Sequence, residues 1–106
     1  MEGLELTAFQ IISAVGTARS SYIEAIGAAK NGDFEQAQKL IDEGTEMFVE
    51  GHDAHLKLLE GEANGSKVLS LLILHAEDQL MSAEGFKTIA LEFIDAYKRI
   101  EALEKK

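Results

Sequence analysis

Residues 71 to 81 read LLILHAEDQLM. His75, Asp78, Gln79 and Ser82 form a polar patch that continues an otherwise aliphatic run. On a helix, positions i and i+3 share a face. His75 and Asp78 therefore fall on a stripe that Val68 and Leu71 mark as buried. Such groups are costly to bury without partners. Three chemistries suit a histidine placed this way: a metal ligand, a general base, or a nucleophile that carries a phosphoryl group. Against them stands a purely structural role. A core histidine whose ring is held by Asp78 or a backbone carbonyl would satisfy the rule that buried polar groups find partners.

A general base would be accompanied by a nucleophilic serine or a substrate pocket, and the sequence marks neither. His52 and His55, in GHDAH, form another i,i+3 pair. Without a flanking carboxylate pattern this is a weak zinc signal. His52 reads as a helix-surface or interface residue, and His55 as a polar interruption of an apolar seam. In a symmetric oligomer, however, Asp78 would recur around the axis. Carboxylates brought that close repel unless protons or a cation compensate. A hard divalent cation with oxygen ligands would do so. The phosphoryl-carrier chemistry rests on imidazole being a good nucleophile near neutral pH, with an ordinary pKa of about 6.5. The phosphoramidate it forms is labile enough to pass the group on. Such a histidine belongs partly exposed in a groove with apolar walls, its second ring nitrogen held by an acceptor. An aliphatic stripe that ends in His75 at an inter-subunit groove meets that description.

The elements that must position these residues are helical. The chain has 106 residues, which suits one domain spanning 1–106. It contains no proline, which favours long uninterrupted helices. Its longest strictly apolar run, Leu71–Leu74, is far too short to span a bilayer. No charged-then-apolar leader opens the chain and no cysteine is present, so the expected location is a reducing one, the cytoplasm. Nineteen acidic residues against ten basic give a net charge of −9. That charge repels nucleic acid and anionic membranes and steers basic protein partners inward.

From Leu4 to about Lys30, Phe9, Ile12, Val15, Ile23 and Ile26 recur at helical spacing. Asn31-Gly32 supplies a stop and Asp33 an N-cap. In the second helix Phe34, Ala37, Ile41, Gly44, Phe48, Gly51, His55 and Leu58 alternate steps of three and four. This is the seam of a bundle of nearly parallel helix axes. Gly44 and Gly51 each cost about 1 kcal/mol against alanine inside a helix, so they imply a close helix approach or a local bend. GEANGS, residues 61 to 66, is the second turn, and Ser66 is placed to cap a third helix running to about Leu103. Ser82–Gly85 is a soft point where a kink is expected. Val68, Leu69 and Leu71–Leu74 cover nearly the whole circumference of that helix. A helix apolar all round is buried all round, and three helices cannot surround one of their own members. Self-association follows.

LLILHAEDQLM resembles the active-site segment of the lactose/cellobiose-type IIA components of the bacterial sugar phosphotransferase system, which reads approximately HAQDHLM. GTARSSYIEAI, KNGDFEQAQKLI and EGHDAHLKLLEGEA resemble further family segments in the same order, so that nearly the full chain is covered. The resemblance implies an all-α fold, a three-helix antiparallel bundle protomer assembled as a nine-helix homotrimer. It implies that His75 accepts a phosphoryl group from phospho-HPr. A cysteine of the cognate IIB component then receives the group, and the membrane IIC component imports the disaccharide that becomes phosphorylated. It also implies that three Asp78 share a divalent cation, taken as magnesium, at the trimer axis. Cellobiose, chitobiose and lactose are all open as the sugar.

Two departures stand beside His75. Glu77 replaces the family's usual glutamine and Gln79 its usual histidine, and His55 also sits where relatives often have glutamine. If Glu77 faces the site, its carboxylate weakens phospho-His75 or favours onward transfer; if it faces solvent, it is nearly silent. Gln79 removes one ionisable group from beside the groove. The rival functions are non-catalytic: a trimeric metal-binding or regulatory helical interaction module. AAKNGDFEQAQKLI has the look of a tetratricopeptide-like unit, but ANGSKVLSLLILH, where a repeat of 34 residues would recur, holds no second copy.

Overall fold

The computed structural model describes residues 3–63 and 70–106. The chain forms α1 (Gly3–Lys30), α2 (Phe34–Ala63) and α3 (Leu71–Glu104), with no strand among the described residues. The helices lie side by side, up-down-up, in a bundle of 61 × 19 × 19 Å. At a rise of about 1.5 Å per residue, α3 alone spans about 51 Å of that length.

The first turn is built from the residues that mark it. Gly32 takes φ of 82°, the left-handed conformation that closes a helix. The Gly32 N–H donates to the Ala29 carbonyl at 3.0 Å, and the Asp33 N–H to the Ala28 carbonyl at 2.9 Å. Together these bonds make a Schellman closure. Asp33 Oδ1 then accepts from the Gln36 N–H at 3.1 Å, capping α2. Ser66, Val68 and Leu69 lie outside the described residues. The described α3 is capped by Ser70, whose Oγ accepts from the Ile73 N–H at 3.2 Å. It remains α-helical through Ser82–Gly85, so the expected soft point bears no break.

α1 packs along both partners, whereas α2 and α3 meet over a much shorter seam. Its buried stripe is Ala8, Ile11, Ala14, Val15, Ala18, Tyr22, Ala25 and Ala29. This differs from the aliphatic pattern of the sequence: Phe9 and Ile23 are 45% and 48% exposed. Small side chains, which carry little hydropathy, let α1 approach two helices at once. Gly44 and Gly51 do the same from α2. A Cβ at Gly44 would stand 2.7 Å from Tyr22 Cε1, and one at Gly51 2.6 Å from Val15 Cγ1. Close approach, not a bend, explains both glycines.

Two core clusters fill the rod. One joins Ala18, Tyr22 and Ala25 to Ile41, Ala90 and Ile94; the other joins Ile11 and Val15 to Ala54, Ala76, Leu80 and Ala83. The first halves of α1 and α3 thus lie together, and α2 runs against both. Ala76 and Leu80 turn the inner side of α3 toward this core, while Leu71, Leu74 and Met81 are 84%, 48% and 64% exposed. The full burial expected for the start of α3 is therefore not reached within one chain. Its outer side is bare apolar surface.

Candidate functional site

His75 sits in the second turn of α3, five residues after the Ser70 cap and directly before Ala76, which is fully buried. The cap fixes where the helix begins, and Ala76 fixes its roll against α1. With those two constraints His75 projects outward and is exposed. The core-histidine expectation is thereby corrected. Asp78 is exposed too, and among the described residues no hydrogen bond joins the pair. Asp78 instead interrupts the bare stripe of Leu71, Leu74 and Met81, at steps of three and four. Gln79, one turn beyond His75, is half-buried. Ser82, two turns beyond, accepts a hydrogen bond from Arg19 Nη1 at 3.3 Å.

The three histidines have different surroundings. His52 is exposed and stacks on Phe48 with ring centroids 6.2 Å apart. His55 is half-buried, and its Nε2 lies 3.1 Å from Glu77 Oε1. That nitrogen carries the proton of a bond to a carboxylate, so it is not a free nucleophile. His75 is the histidine presented on the outer surface of α3. Among the described residues the i,i+3 pair His52 and His55 gathers no metal site: His52 stacks on Phe48 and His55 bonds to Glu77.

Glu77 therefore does not face His75, although its side chain is 43% exposed. It turns to α2 and pairs with His55, a contact that spacing along the chain did not reveal. Both residues stood out in the sequence, but they lie on different helices, and only the packing of α3 on α2 joins them. Arg19 was likewise unremarked as a neighbour of the patch, although it lies in GTARSS.

Among the described residues no group of three or more metal-ligating side chains gathers in one chain. Asp78 offers a single exposed carboxylate. A hard cation takes about six oxygen ligands or more, so a site on Asp78 has to be assembled from several copies and completed by water. The stripe that carries Asp78 is apolar enough to be covered by such copies. An open cleft of about 420 Å³ between α2 and α3 is lined by Phe48, His52, Glu84, Lys87, Thr88 and Leu91. It does not include His75, whose ring is exposed.

A family model for the lactose/cellobiose-specific IIA subunit of the phosphotransferase system matches residues 6–98. The chain belongs to that IIA family. The lichenan-specific phosphotransferase enzyme IIA component of Bacillus subtilis (strain 168) is 42% identical over 100 residues, covering 93% of this chain and 91% of the relative. Among solved structures, the cellobiose-specific enzyme IIA from Bacillus anthracis superposes with a TM-score of 0.91 at 38% identity, over 96% of this chain and 95% of that one. The IIA(Chitobiose) chain solved in complex with HPr, from the N,N'-diacetylchitobiose branch of the Escherichia coli system, gives 0.83 at 31%, over 95% and 99%. The three-helix fold expected from the sequence is thus that of the IIA family. No helix of the described residues is long and apolar enough to cross a membrane.

Proposed function

We propose that this IIA chain is a phosphohistidine carrier, acting as one domain in the cytoplasm. A ring nitrogen of His75 attacks the phosphorus of phospho-HPr; a new N–P bond forms as the old one breaks, and the HPr imidazole leaves. The ring proton that His75 gives up passes to the departing HPr imidazole, which leaves neutral. In the second step the thiolate of a IIB cysteine attacks the same phosphorus; an S–P bond forms as the His75 N–P bond breaks, and the released imidazole takes up a proton from solvent. The sugar phosphorylated at the end of the relay is a disaccharide such as cellobiose, chitobiose or lactose.

The observation that carries this reading is the exposure of His75 on the outer side of α3, beside Leu71 and Leu74. The complex of the chitobiose IIA relative with HPr supports HPr as the donor here. The bare stripe of α3 supports a homotrimer in which three copies cover one another's apolar surface. In that assembly three Asp78 carboxylates would hold magnesium or another divalent cation, which would neutralise their mutual repulsion. The cation is structural, and the chemistry belongs to His75.

The experiment is a reconstituted relay from phosphoenolpyruvate through Enzyme I and HPr to this chain and a IIB component. The expected result is phosphocysteine on IIB only when this chain is present with His75 intact. Phosphocysteine formed equally with His75→Gln would overturn the proposal.

A further inference from the structure

His55 and Glu77 form a side-chain bond that links α2 to α3 close to His75, and its Nε2···Oε1 distance is 3.1 Å. It is the one side-chain hydrogen bond found between those two helices among the described residues. Elsewhere α2 and α3 meet sparsely, since α1 lies against both. The pair is therefore placed where few other contacts fix α3 relative to α2. Apolar neighbours Leu58, Leu72 and Ile73 pack around the same end of the bundle.

The helix geometry gives the bond its consequence. Two residues along an α-helix correspond to a rotation of about 200°, so Glu77 and His75 project from nearly opposite sides of α3. Holding Glu77 against α2 holds His75 away from the protomer's own core. It also keeps the Glu77 carboxylate turned from the side where a phosphoryl group, itself negative, would arrive. The His55 side chain is 16% exposed and that of Glu77 43%, so the ring is shielded while the carboxylate stays open to solvent on one side.

We propose that His55 and Glu77 are positioning residues for His75: their interhelical bond ties the second turn of α3 to α2, refining the roll that Ala76 sets against α1 and so the presentation of the His75 ring. This rests on His75 being the phosphoryl acceptor, and it deepens that reading by naming what orients it. Neither residue touches the phosphoryl group. Because a hydrogen bond between the helices is what matters, a neutral pair able to make the same bond will serve. Truncating either partner will not.

The test compares wild type, His55→Ala, Glu77→Ala and the double variant H55Q/E77Q, well below their unfolding temperatures. The readouts are the rate of phosphoryl uptake from phospho-HPr and the His75 ring resonances in ¹⁵N-histidine-labelled protein. Each single truncation is expected to slow uptake about threefold to tenfold, with the double variant within about twofold of wild type, as for coupled hydrogen-bonded partners. The His75 resonances should move in the single variants and return in the double. A purely structural pair would lower the unfolding temperature and leave both readouts unmoved, and that result overturns the proposal. A double variant as slow as the single ones overturns it equally. Should wild type take up no phosphoryl group, His75 as acceptor fails. The resonances then decide whether the pair orients His75 at all, and unmoved shifts refute that.

Discussion

Replacing Gly51 by alanine tests the packing that holds the bundle together. The new Cβ would lie 2.6 Å from Val15 Cγ1, 3.5 Å from Ala14 Cβ and 3.6 Å from the Ile11 carbonyl oxygen. Carbon atoms in contact prefer about 3.5–4.0 Å, so the first distance is short by about 1 Å. Val15 is 1% exposed and β-branched, so its methyl has little freedom to turn away. Relief has to come from moving α2 off α1. Over-packing of this kind costs about 1–3 kcal/mol. Against it, alanine gains about 0.5–1 kcal/mol over glycine inside a helix. The net expectation is a loss of about 1 kcal/mol, or a midpoint lowered by about 4–8 °C in a chain of this size. Gly27 is the control, because nothing lies within 4 Å of a Cβ built there. Gly27→Ala should therefore be stabilising by the propensity gain alone. The assay is thermal and urea unfolding followed by circular dichroism at matched protein concentration. If Gly51→Ala proves as stable as Gly27→Ala, the close approach of α1 and α2 is refuted.

Three further outcomes follow from the same structure. Burial raises the Tyr22 phenol above its ordinary pKa of 10.0, outweighing the opposing hydrogen bond to Thr45. The neutral phenol is then favoured in the fold, so its contribution is intact below pH 10 and lost as pH climbs through the raised value. Unfolding titrations above that pH should show a steeper loss in wild type than in Tyr22→Phe, and parallel curves would contradict the burial effect. Chelation of divalent cations should weaken the proposed trimer in light scattering and calorimetry, and should have no such effect on Asp78→Ala, which removes the repelling carboxylates; in both cases His75 should still take up the phosphoryl group, and loss of uptake with the trimer intact would reverse the assigned roles. Uptake from HPr should slow as salt rises if the net charge of −9 steers the encounter; a rate independent of salt would exclude steering.

Much of this fold is legible in the sequence because local rules and packing agree. Asn31-Gly32-Asp33 forms the closure and cap that its residues imply. The α2 seam from Ala37 through Gly51 is buried as its spacing indicates, with Phe48 partly so. The stripe of α1 was less legible, since alanines at interhelical contacts have little hydropathy, and the bulkier Phe9 and Ile23 draw attention to the wrong face. His75 and Asp78 were legible as chemically conspicuous, and the carrier chemistry required His75 to be partly exposed, but the stripe itself misled: Leu71 and Leu74 imitate a core stripe and form bare surface in a single chain. Most opaque was the His55–Glu77 bond. It spans residues 22 positions apart on two helices, and only tertiary packing brings them to 3.1 Å.

Intact-mass spectrometry tests the carrier most directly. The chain would be incubated with phosphoenolpyruvate, Enzyme I and HPr at mildly alkaline pH, which preserves phosphohistidine, beside His75→Gln. One phosphoryl mass per chain, lost on mild acid treatment and absent in the variant, is the predicted result. A folded wild-type chain that gains no mass, or a variant that gains as much as wild type, would contradict His75 as the carrier.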